Sequence, residues 1–403
     1  DFWRSFFRKG KKALLVFKSD GFRGVFILVR QNYRTMRSKL RFEQQENATA
    51  QWYGFLNLPP FDADYQEDQS FSGSATDVKA LAFYLPQFHT FPENDALWSR
   101  GFAQWSNPPA CDAPRFTGHY QPREPHSDIG YYDLRDFEVI KKQVKLAKMH
   151  GVYGFCFYYY WFSGKKLMEE PVEQLMNHPE VEMPFCLCWA NKSRARAWDG
   201  RNEGVLIKRN YGAADSARFI DDIQVYLKDS RYIRVNGKPV IIVYHPGKIP
   251  DYSAMFRAWR QRAREIGVGD ILIWICAAGN SAAHLIIQHV VDAKVNLPPR
   301  SMLFTNHQKY GLDLHGKRAR IFNYRRLVSR MENVLGQKGS GCPVPVYHTC
   351  IMGWDNSARR KNGWSMFYGF SLQSFYRWTR ALVRNARLTH AKEDRFIFVD
   401  AWN

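Results

Sequence analysis

Beyond residue 79 the chain alternates between short, largely apolar runs and longer stretches with one apolar face. The runs fall at 80–85, 154–159, 185–189, 240–244, 271–276, 290–295, 344–351 and 395–401. Their length and continuous apolar character suit strands covered on both faces, as in a parallel sheet. Between most of them apolar positions recur at helical spacing, over 136–150, 215–227, 252–266, 324–335 and 371–387. Strands and helices in this alternation predict an α/β fold, a (β/α)8 TIM-type barrel. A doubly wound sheet is the alternative, but no glycine-rich phosphate turn follows any strand. The helix expected after the eighth strand is missing, because the chain stops at Asn403, and the chain begins without Met. A fragment of a longer protein is therefore expected.

Upstream the pattern differs. Residues 1–45 alternate basic and apolar clusters, with Phe2/Phe6 and Trp3/Phe7 spaced i, i+4 on one helical face. Gly21 and Gly24 separate two predicted helices, and residues 1–41 hold twelve Lys/Arg against only Asp1 and Asp20. This basic extension suits a helical hairpin packed on the main domain, or an interfacial element on an anionic inner leaflet. No nucleic-acid motif accompanies the charge, so nucleic acid is not an expected partner. Residues 46–78 are polar and locally acidic, contain Pro59-Pro60, and read as a linker.

Composition narrows the ligand class. Aromatic residues make up 16% of the chain, including 13 Trp and 21 Tyr. Each pairs an apolar face with a polar handle, which suits flat ligands edged with hydroxyls, above all sugars. The net charge of +20 points to anionic partners. No apolar run approaches the ~20 residues that span a bilayer. The seven cysteines include Cys156, Cys186, Cys188 and Cys276 inside apolar runs. No second pair or His spacing completes a zinc site, so they read as reduced core residues in a cytosolic protein.

In a barrel the C-terminal strand ends converge on one mouth. Here they bring Tyr84, His89 and Trp105 after the first strand, then Tyr158, Tyr159, Tyr160 and Trp161 after the second. Trp189, Asn191 and Lys192 follow the third, Tyr244 and His245 the fourth, Asn296 and Arg300 the sixth. Trp354, Asp355 and Asn356 follow the seventh, and Asp400, Trp402 and Asn403 the eighth. Such a mouth reads as rich in aromatics and amides, poor in carboxylates, and without metal-ligand spacing. His89 and His119 are candidate bases, although a lone loop histidine is more often a hydrogen-bonding residue.

These residues resemble the WbsX-type glycosyltransferases, whose barrel is related to glycoside hydrolase family 99. The resemblance runs from Lys79 to Asn403 and rests on AFYLPQFH (82–89), PEND (92–95), GFAQW (101–105), GHYQP (118–122), GFCFYYYWFSGKKLMEEP (154–171), PFCLCWAN (184–191), WDG (198–200), MGWDNSARR (352–360) and FVDAWN (398–403). It implies a barrel acting on sugars in the synthesis of bacterial surface polysaccharide, of O-antigen or capsule type. Three departures stand out: Lys192, Gln104 and Asn296 occupy positions where the family usually has Glu. The family's AWN is normally followed by a Glu-Trp-x-Glu run that is catalytic in the hydrolase branch, and this chain ends just before it.

Hydrolysis needs two carboxylates flanking the scissile bond. A mouth with Lys192, Arg194, Arg196 and Arg300 suits phosphate on a nucleotide- or lipid-linked donor better, unless these cations point outward into solvent. The expectation is a glycosyltransferase. Tyr84, His89, Trp105, Tyr160, Trp189, Asn191, Tyr244, Trp354, Asn356 and Trp402 would bind the sugar, Asp355 or Asp400 would act as base, and no metal or cofactor is called for. Expected partners are a glycan acceptor, an anionic membrane surface through 1–45 and other polysaccharide-assembly proteins, with the chain cytoplasmic and peripheral at the inner membrane face. The alternatives are a glycosidase or transglycosidase on mannose-like glycans with its carboxylates beyond Asn403, and an inactive glycan-binding or scaffold barrel.

Overall fold

Eight parallel strands pair in chain order: β1 (Lys79–Tyr84), β2 (Val152–Phe162), β3 (Phe185–Trp189), β4 (Lys238–Val243), β5 (Leu272–Ala277), β6 (Ala293–Asn296), β7 (Val346–Ile351) and β8 (Phe396–Asp400). β8 also pairs with β1, Lys79 opposite Phe396 and Ala82 opposite Val399, and this contact closes the sheet into a (β/α)8 barrel. The computed structural model describes residues 77–403 apart from 98–100, 104, 106–118, 120–124, 127, 192–193, 197–202, 208–211, 278–289, 299–318, 338–341, 359, 361–362 and 403. The basic extension, nearly all of the linker, Lys192 and Arg300 therefore lie outside the described residues, as do the side chains of Arg194 and Arg196.

The helices follow local signals. α1 (Phe137–Met149) starts where the Asp136 carboxylate accepts the Glu138 N–H, and α4 (Tyr252–Glu265) where Asp251 accepts that of Ala254. α2 (Glu170–Asn177), which periodicity did not predict, opens with Pro171 in its first turn. α3 (Ala213–Lys228) follows β3, α5 (Tyr324–Gly336) begins at its cap Asn323, and α6 (Leu372–Thr389) at its cap Ser371. β2 runs past the barrel rim, turns back at Ser163 and Gly164, both at positive φ, and pairs with residues 165–167. At its other end β2 lies against the segment entering β3: a Cβ on Gly154 would stand 2.5 Å from the Pro184 carbonyl oxygen.

Inward side chains of neighbouring and non-neighbouring strands meet in the lumen. Phe83 of β1 stacks on Tyr158 of β2 (5.4 Å) and on Phe398 of β8 (5.3 Å). Trp274 of β5 stacks on Tyr347 of β7 at 4.3 Å, and His390 lies parallel to Tyr347 at 4.5 Å. The outer faces of the strands carry a second aromatic layer under the helices, where Trp189 packs on Phe219 of α3 and Trp259 of α4. Cys156, Cys186, Cys188 and Cys276 are buried free thiols, as their apolar surroundings predict.

Candidate active site at the barrel mouth

The centre of the mouth is Asp400, at the end of β8 and in register with Ile351 of β7. Tyr158 and Tyr244 meet edge to face at 5.3 Å, across strands that are not adjacent. Burial, then the negative charge of Asp400, then the neighbouring Tyr244 hold the Tyr158 phenol well above its ordinary range, so it stays a neutral donor. Two phenols and a carboxylate at the top of an apolar lumen can grip sugar hydroxyls and take up a proton.

A second polar group lies where the chain leaves β1 and β2. His89 is fully buried, and its Nε2 donates to Glu170 Oε2 (3.0 Å) at the N-terminal end of α2. Its Nδ1 is buried without a partner among the described residues. Burial raises the Glu170 carboxyl, but the bond from His89, with the charges of His89 and Arg135, outweighs it and holds the group below its ordinary value. Its neighbour Glu169 goes the other way, raised by burial and reinforced by Glu170 and Glu173. Glu93 pairs with Lys165 on the same rim. The segments leaving β1 and β2 thus carry carboxylates that the strand ends do not show. Glu169 and Glu170 stand at the MEEP end of the 154–171 motif, and neither belongs to a strand end, so the barrel pattern does not point to them.

Asp355 is enclosed. Its Oδ2 accepts from His119 Nε2 at 2.8 Å with both side chains about 2% exposed, and its Oδ1 accepts the Ser357 N–H at 2.9 Å. Ser357 Oγ lies 3.4 Å from the same His119 nitrogen, and the imidazole stacks on Trp364. The group ties the loop after β1 to the loop after β7. Asn356 continues the tie, its Oδ1 accepting the Ser365 N–H at 2.8 Å, and Trp354 packs against the cluster beneath α5 and α6.

Several expected sugar contacts sit elsewhere. Tyr84 and Trp189 alternate to the outer face of their strands. Tyr84 is fully buried with its hydroxyl on Gln143 of α1 (2.5 Å), and the Trp189 indole donates to the Trp161 carbonyl (3.3 Å). Asn191, also fully buried, clamps two strand ends together. Its Nδ2 donates to the His245 carbonyl (2.8 Å) and its Oδ1 accepts the His245 N–H (2.6 Å). Trp402 donates its backbone N–H to Phe83 (2.7 Å) and lays its ring on Phe155, in the same outer layer as Tyr84. Trp105 and Tyr160 stand at the rim, Trp105 bonded to the Tyr132 carbonyl (2.7 Å) and Tyr160 to the Gln87 amide (2.7 Å).

Asn296 has a partner that the sequence did not reveal. Its Nδ2 lies 3.2 Å from His348 Nδ1, across the β6–β7 ladder. Burial, with His390 nearby, lowers the His348 imidazole to about 4, so it is neutral and accepts from the amide. A histidine whose pKa falls from 6.5 to about 4 on folding binds a proton more readily in the unfolded chain throughout that interval. Stability is therefore complete above pH 6.5 and falls as the pH drops to 4, by about 3 kcal/mol at most. Thermal unfolding across this range should show the loss, and His348→Gln, which keeps an acceptor, should flatten it.

Comparison with known proteins gives the geometry a family. The family described as Glycosyltransferase WbsX matches residues 80–403. The protein WxcX of Xanthomonas campestris pv. campestris, itself described as uncharacterised, is 35% identical over 327 residues in strain B100 and again in strain ATCC 33913. The alignment covers 80% of this chain and 45% of WxcX, so the chain spans about half the length of the curated relatives it matches. Among solved structures, a family 99 endo-alpha-mannosidase from Bacteroides thetaiotaomicron superposes with a TM-score of 0.49 at 13% identity, over 82% of this chain and 86% of its own. A glycoside hydrolase-like protein gives a TM-score of 0.49 at 14% identity, over 83% and 88%. A match over four-fifths of the chain, together with a relative at this identity, is decisive: the chain belongs to the WbsX glycosyltransferase family.

Proposed function

We propose that this barrel transfers a sugar from a phosphorylated donor to a growing surface polysaccharide. The observation that supports this most is the charge of Asp400 acting on the neutral phenol of Tyr158, whose ring meets that of Tyr244 at the mouth, in a chain of this family. In that reading Asp400 takes the proton from the acceptor hydroxyl, the two tyrosines hold hydroxyls of the sugar, and Trp105 and Tyr160 bound the site at its rim. Phosphate would be held by Lys192, Arg194, Arg196 and Arg300. The donor is a nucleotide- or lipid-linked sugar, and the acceptor a glycan. Asp355 serves as a brace, held by His119, and the catalytic proton transfer falls to Asp400.

The test is product analysis with the purified full-length protein, nucleotide-sugars and an oligosaccharide acceptor. Acceptor-dependent release of nucleotide is the expected result. Reducing sugar released from a mannan, with no turnover of any nucleotide-sugar, would establish a hydrolase instead. The Glu169–Glu170 pair, in the segment leaving β2, is the observation that favours that second reading.

A further inference from the structure

α6 contains four arginines and no acidic residue, in the sequence LQSFYRWTRALVRNARLT. It packs along α5, which adds three arginines and one acid, Glu332, and that carboxylate is paired with Arg377. The buried side of α6 is Ser374, Trp378, Leu382 and Ala386. On its outward side Leu372, Tyr376, Arg380, Arg384 and Leu388 follow at strict four-residue spacing, which places them in one row. Leu372, Tyr376 and Leu388 are 48%, 58% and 81% exposed. Arg380 and Arg384 are exposed too and have no carboxylate partner among the described residues.

A helix face that mixes uncompensated arginines with outward leucine and tyrosine has a definite chemical complement. The guanidinium groups match anionic headgroups, and the apolar side chains gain by entering the boundary between headgroups and acyl chains. A polyanion such as nucleic acid would satisfy the arginines and leave the leucines in water. The chain also enters the barrel beside this face, because Asp77 is paired with both Arg387 and Arg395 (each 2.6 Å). No helix among the described residues is long and apolar enough to cross a membrane, so this contact is a lateral one. We propose that the outer face of α5 and α6 docks the barrel on an anionic membrane surface. The surface lies on the flank of the barrel, and the proposal is independent of the chemistry at the mouth.

The test is co-sedimentation of the full chain with phosphatidylcholine vesicles, with and without phosphatidylglycerol. Binding should require the anionic lipid and weaken with salt. Arg380→Glu/Arg384→Glu should weaken it about 25-fold or more, since each arginine near such a surface is worth about a factor of five. Arg380→Lys/Arg384→Lys should keep most of it. Tyr376→Ser/Leu388→Ser should weaken vesicle binding and leave any retention on duplex DNA unchanged. All these positions are exposed, and an unchanged thermal melt confirms that each variant folds. Wild-type vesicle affinity in the charge-reversed variant would overturn the proposal and leave binding to residues elsewhere, including 1–41. Unchanged vesicle binding in the serine variant, with duplex DNA bound more tightly than vesicles, would overturn it in favour of nucleic acid.

Discussion

Asp400→Asn is expected to slow sugar transfer by about two to four orders of magnitude, the usual contribution of a positioned acid–base group. The amide keeps the shape and polarity of the side chain, so the end of β8 and its register with Ile351 should survive. What is lost is the negative charge and the proton acceptor. The same charge acts on the Tyr158 phenol, second only to burial in holding its proton. Removing it leaves Tyr158 neutral, still able to donate to a sugar, so donor affinity should change far less than turnover. Steady-state kinetics with a thermal melt on the same sample separates the two effects. Full turnover in the variant would remove Asp400 from the chemistry and return attention to Glu169 and Glu170.

Trp189→Ala is expected to cost about 3–5 kcal/mol of stability, against a net stability of roughly 5–15 kcal/mol for a folded protein. The indole fills the space between β3 and two helices, with ring contacts to Phe219 at 4.9 Å, Trp259 at 5.4 Å and Trp161 at 6.5 Å. These three rings come from three different elements and cannot all close on an alanine, so most of the vacated volume remains a cavity. Its N–H partner, the Trp161 carbonyl, is left without that donor as well. Denaturant titration should show the full loss, and the fraction still folded should bind glycan as the wild type does. A loss below about 1 kcal/mol, with glycan affinity abolished, would put the ring back at the mouth as a sugar platform.

The contrast between Trp189 and Tyr244 shows where reading a strand end stops. Both sit at the C-terminal end of a barrel strand, and both are aromatic with one polar atom. Alternation sends Trp189 outward under α3 and α4 and Tyr244 inward to meet Tyr158. Because the run around Trp189 is buried on both faces, its hydropathy carries no sign of which face is which. Asn191 carries a related ambiguity. An amide beside a strand end serves a sugar hydroxyl or a backbone clamp equally well, and the choice depends on His245, 54 residues away.

The amino-acid sequence by itself determined the barrel. Eight apolar runs with helical spacing between them leave few other ways to bury that much surface, and the strands match the predicted runs within a few residues at either end. It also determined the family, through motifs in order along the chain. Tertiary structure decided which of the collected residues share a space. Asp355 became a buried brace with His119, 236 residues apart in sequence. Asn296 acquired His348, and Asp400 came to act on Tyr158. The physical reason is that side-chain direction and partner depend on strand register and on loops that return from distant parts of the chain. Local hydropathy records how much surface must be covered, and closure of the sheet by β1 and β8 selects what covers it.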